Sequence, residues 1–173
     1  MRQLTIILAA FLLIAFESPL LSRVSAEPFA PDLALVFVIY VGLTSRYEAG
    51  LLTALSLGLF KDAFTYGTPI GMHMEILSIV FLICFRLSRR LALRSPVSVV
   101  LLTILFSLGA GILEIGLSLL FDANFGSDGR GVELLLKAML PQALLTAPFG
   151  PILFWMLQRL DRLVLRQSDS IYL

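Results

Sequence analysis

The sequence predicts an all-α membrane protein, a bundle of six transmembrane helices. Three observations carry this. Of the 173 residues, 58% are hydrophobic and only 14% are charged, against roughly half apolar and about a quarter charged in a soluble domain. Mean hydropathy is +0.95. Six apolar runs recur with short polar connections. At about 20 residues per span, that fills the chain as one membrane domain with no room for a soluble one.

The first span is read at residues 4–21. Arg2, the apolar stretch that follows it and Val24-Ser25-Ala26 resemble a signal peptide. Glu17-Ser18-Pro19 interrupts the approach to the cleavage site, and five further apolar runs follow, so a span is expected. The second span, 31–43, opens on Pro31-Asp32. Proline suits a first helical turn and an acid suits the positive helix end, so Asp32 needs no catalytic role. The third span is 49–64 and the fourth is 70–87. The fifth, 97–121, is the longest run without a proline. The sixth, 141–157, carries Pro141, Pro148 and Pro151. Asp122 to Val132 reads as an exposed loop. Residues 132–140 read as a short interfacial helix that breaks at Pro141, with Pro148 and Pro151 kinking the span itself. Residues 159–173 form a basic tail.

Arginine and lysine placement sets the orientation. With both termini in the cytoplasm, the inner side holds Arg2, Arg46, Arg86, Arg89, Arg90, Arg94, Arg159, Arg162 and Arg166. The outer side holds Arg23, Lys61, Arg130 and Lys137. Basic residues in short inner loops are topology signals and lipid-headgroup contacts, or a cytoplasmic docking surface.

Ionisable residues in spans face the bundle interior or snorkel outward. Glu17, Lys61, Asp62, Glu114 and Lys137 all fall in the outer parts of their runs, with His73 and Glu75 opening the fourth on the same side. Two readings remain open: inter-helix ion pairs with snorkelling side chains, or a polar cavity that opens outward to a partner or small ligand. In the third run Gly50, Ala54, Gly58 and Asp62 are spaced by four. Small residues at that spacing let two helix backbones approach closely. The contact would deliver the Asp62 carboxylate into a protected place beside Lys61.

The usual catalytic patterns do not emerge. His73 has no serine in a partnering context, Asp62 has no second intramembrane aspartate, HExxH is missing, and no Gly-rich phosphate loop occurs. The single cysteine, Cys84, rules out a disulfide framework and a four-cysteine metal site. No cofactor, metal or nucleic-acid partner is expected.

Pro31-Asp32-Leu33, the run to Tyr40-Val41-Gly42-Leu43, then Gly50, Gly58 and Asp62 make a recognisable series. Pro69-Ile70-Gly71 follows, with a helix ending in Arg89-Arg90, then Pro148 and the basic tail from Arg159. The series resembles the rod shape-determining protein family MreD over most of the chain. The resemblance implies a six-helix fold similar to the substrate-binding S-components of vitamin importers. It implies a non-enzymatic scaffold of the elongasome in the bacterial inner membrane, supporting lateral peptidoglycan synthesis. It also implies a direct partner, MreC, and indirect ones: MreB filaments, the RodA-type glycosyltransferase and a class B penicillin-binding transpeptidase. On this reading Pro31, Asp32, Gly50, Gly58, Lys61, Asp62, Gly71, Glu17, Glu114 and Pro148 are candidates for partner binding or helix packing. The rival reading is an S-component-like uptake subunit for a vitamin or other small solute. Ala9, Ala10 and Ala15 give no four-residue pair on the first helix for a coupling protein, which counts against it. A lipid-handling enzyme is a third, weaker reading.

Overall fold

The computed structural model describes residues 6–13, 15, 31–64, 71–88, 96–125 and 130–169, and their side chains except at 121–136, 138 and 163–169. These residues are helical apart from short turns. Helix α1 covers residues 6–13. It is followed by α2 (Leu33–Thr44), α3 (Tyr47–Phe64), α4 (Met72–Ser88), α5 (Pro96–Phe125) and α6 (Arg130–Asp169). Among the described residues two stretches are long and apolar enough to cross a membrane, Pro96–Leu120 and Met139–Arg162. Helix α2 is apolar but shorter.

The architecture is two helical pairs with α2 wedged between them. Helix α3 packs chiefly on α4, and α5 on α6, while α2 touches all four. A helix that is apolar on every side belongs inside. Residues Leu33 to Gly42 of α2 are accordingly all buried. The α1 helix buries Ile6 and Ala10 and sets the Phe11 ring edge-on against Phe60 of α3, 5.1 Å between centroids.

The α3–α4 contact is antiparallel and close. A methyl group on Gly50 would strike the Phe81 ring, and one on Gly58 would lie 2.8 Å from the Met74 nitrogen. Ala54, between them, is fully buried. On α2, Gly42 makes the same kind of room for Cys84 of α4. The α5–α6 contact is built alike: Gly111 faces Met139, and Gly150 faces Thr103.

Two sequence expectations are corrected in this pair. The sequence predicts a loop over 122–132, but α5 continues to Phe125 and α6 begins at Arg130. It also predicts a separate interfacial helix over 132–140, ending at Pro141. Instead α6 is one helix of 40 residues that contains Pro141, Pro148 and Pro151. A proline removes one N–H from the ladder and its ring presses on the preceding turn. In an apolar setting, though, the helix remains the best way to satisfy the rest of the backbone. Thr146 adds a hydroxyl bond of 2.7 Å to the Gln142 carbonyl.

At one end of the bundle the Tyr40 hydroxyl donates to Asp161 Oδ2 at 2.6 Å, tying α2 to α6. The Tyr40 ring sits edge-on to Phe154. The opposite end, where α2 and α4 begin and α3 finishes, holds the polar residues.

Candidate functional site: a polar cluster joining five helices

Asp32 is the N-cap of α2, and its Oδ1 accepts from the Leu35 N–H at 3.0 Å. Its second oxygen, Oδ2, meets Lys61 Nζ of α3 at 2.6 Å. Its own backbone N–H donates to Thr146 Oγ1 of α6 at 2.9 Å. One aspartate thus joins three helices. The pair is largely withdrawn from the surface, with Asp32 9% and Lys61 22% exposed at the side chain.

Asp62, the next residue on α3, does a different job. The first N–H groups of a helix have no partner within it, and the residue before α4 is Gly71, which has no side chain to offer. Gly71 sits at φ +102°, a conformation natural for glycine. Asp62 supplies the missing cap from the neighbouring helix. Its Oδ2 accepts from Gly71 N at 2.9 Å and Met74 N at 3.3 Å, and its Oδ1 from His73 N at 3.0 Å. The His73 ring adds Nδ1 at 2.8 Å from Oδ1. A carboxylate only accepts, so Nδ1 carries the hydrogen. The Asp62 side chain is 1% exposed.

The His73 ring then points its other nitrogen at α5. Nε2 lies 4.0 Å from Glu114 Oε1, beyond hydrogen-bond length. Glu114 is 21% exposed at its side chain. Aspartate, histidine and glutamate thus run in a row from α3 through α4 to α5, beside the Asp32–Lys61 pair.

The candidates from the sequence therefore fall into three groups. Asp32, Lys61, Asp62, Gly71 and Glu114 come together in this cluster, with Pro31 next to Asp32 accepting from Leu33 N at 3.1 Å. Gly50 and Gly58 lie along the α3–α4 contact below it. Pro148 sits exposed within α6, two residues from Thr146, and Glu17 lies outside the described residues. Asp62 is buried next to Lys61 in the chain but bonds the start of α4, while Lys61 pairs with Asp32 of α2. Sequence reasoning missed the roles of His73 and Thr146. A signal for His73 existed, because a helix beginning after a glycine lacks a cap of its own.

Among the described residues no group of three or more His, Cys, Asp or Glu side chains is arranged to hold a metal ion. The chemistry is that of charge pairing and helix capping. Replacing Lys61 tests this. Lys61→Met strands the Asp32 carboxylate, and breaking a buried pair costs about 3–5 kcal/mol. Partial exposure of Lys61 lowers the expectation to about 2 kcal/mol. Asp32→Asn added to Lys61→Met keeps the cap, since asparagine caps as well as aspartate, and recovers most of the loss. Thermal unfolding of the single and double variants in detergent reads both.

Among the described residues the protein is helical, with two stretches long and apolar enough to cross a membrane and a charge-paired cluster at one end, features that fit a membrane protein. The chain belongs to the family described as rod shape-determining protein MreD, whose model matches residues 1–159. It is therefore a cell-shape-determining membrane protein, of a family that is structural and not a known enzyme family. No curated protein and no solved structure matches the chain.

Proposed function

We propose that the protein is a non-enzymatic scaffold of the elongasome, crossing the bacterial inner membrane six times with both termini in the cytoplasm. In this reading its outward polar cluster is where MreC docks. MreC then connects the scaffold to MreB filaments, the RodA-type glycosyltransferase and the class B penicillin-binding transpeptidase. The six helices adopt the arrangement of importer S-components without the importer's task.

One observation carries the docking reading. Asp32, Lys61, Asp62, His73, Glu114 and Thr146 gather ionisable and polar groups from five helices at one end of the bundle. Lys61 and Glu114 keep about a fifth of their side-chain surface open. Of the acids there, Glu114 is the one that neither caps a helix nor sits within hydrogen-bond length of a cation. It is therefore the group to change with least harm to the fold.

Glu114→Lys reverses the charge offered to a partner. The expected result is at least a tenfold loss of MreC co-purification and round instead of rod-shaped cells, with the variant accumulating at the normal level. Undiminished co-purification together with rod-shaped cells would sink the docking reading.

A further inference from the structure

We propose that the cytoplasmic end of α4 carries a binding site for one anionic phospholipid, with the acyl chain along Leu82, Ile83 and Leu87 and the phosphate on Arg86. These four residues line a hollow of about 520 Å³ on the outer surface of the bundle. Its lining is almost wholly apolar, and among the described residues Arg86 is its one charged residue, near the end where the helix finishes.

Leu82 is 41% and Ile83 50% exposed, although the same helix buries Phe81 and Cys84 completely on its other face. Two large aliphatic side chains left open beside a concavity fit a hydrocarbon chain. Arg86 falls in the last turn of α4, and its side chain is in the exposed class. No acid or carbonyl among the described residues engages its guanidinium, whereas Arg159 lies over the Trp155 ring at 5.5 Å and Arg162 bonds the Gln158 carbonyl. A guanidinium presents a planar set of donors that matches a phosphate. Charge and shape thus commit the occupant: a chain in the apolar part and a phosphodiester at the arginine. This rests on the membrane orientation proposed above, which puts the end of α4 at the cytoplasmic face, and is independent of MreC docking.

The test uses the full chain, purified in detergent, stripped of lipid and titrated with phosphatidylglycerol or phosphatidylcholine, with bound lipid counted by native mass spectrometry. The wild type is expected to prefer phosphatidylglycerol. Arg86→Gln is expected to reduce that preference about fivefold, the effect of one basic residue near an anionic headgroup. Leu82→Gln with Leu87→Gln is expected to weaken both lipids alike. Arg159→Gln, remote in the sequence and engaged with Trp155, is expected to leave the preference unchanged.

Three results would overturn the proposal. One is an unchanged preference in Arg86→Gln. A second is an equal loss in Arg159→Gln, which would mean a general basic surface. The third is full displacement of the lipid by glycerol phosphate alone, which would mean a free-phosphate site. Retention of the wild-type thermal midpoint by Arg86→Gln keeps a loss of binding distinct from a loss of folding.

Discussion

Asp62→Ala is expected to be the most damaging single substitution in the bundle. It removes the acceptor for three backbone N–H groups and for the ring nitrogen of His73. Each buried donor left unsatisfied costs about 1–3 kcal/mol. Relaxation and entering water recover part of this, so the net loss is expected at about 4 kcal/mol, within the range for breaking a buried charged network. For a chain of this size that lowers the thermal midpoint by about 10 °C. Asp62→Asn keeps one acceptor oxygen and is expected to lose about half as much. Thermal unfolding in detergent, followed by helical circular dichroism, measures both. A midpoint within about 2 °C of wild type for Asp62→Ala would show that α4 needs no cap from α3.

Gly58→Val is expected to rank second, and through the same contact. The added carbons would fall on the backbone of Met74 and near the His73 carbonyl, 3.0 Å from the new Cβ. Overpacking usually costs about 1–3 kcal/mol. Here the obstacle is a helix backbone that cannot rotate away, so the upper end, about 3 kcal/mol, is expected. Gly58→Ala should fall near 2 kcal/mol on the same argument. The two sites are coupled, because pushing α3 from α4 also draws Asp62 away from the helix start it caps. Gly58→Val with Asp62→Ala should therefore cost less than the two separate losses added, by at least about 1 kcal/mol. Additive losses would mean that the glycine contact and the cap are independent.

Much of this contact is legible in the sequence. The four-residue spacing of Gly50, Ala54, Gly58 and Asp62 is local information, and helix geometry alone puts those residues on one side. What they meet is not local. Asp62 bonds residues nine to twelve positions on, and Asp32 bonds Thr146, 114 positions away. No periodicity in one segment names a partner in another. Lys61 shows the limit well. Adjacent residues on a helix point in directions about 100° apart, so its neighbour Asp62 is a poor guide to its partner. Pro141 misleads for another reason. The preference of proline for helix boundaries is strongest where water competes for the freed carbonyl, and within a packed apolar pair that competition is weak.

Helix α2 has a further consequence, in the order in which the protein is built. Its 12 residues measure about 18 Å, short of the ~30 Å hydrocarbon thickness of a bilayer. Every residue from Leu33 to Gly42 is covered by protein. Such a segment gains little from lipid alone and settles only when its neighbours close around it. The Lys61, Thr146 and Asp161 side chains that secure its two ends belong to segments synthesised later. The innermost helix therefore cannot complete its contacts until the chain has emerged as far as Asp161.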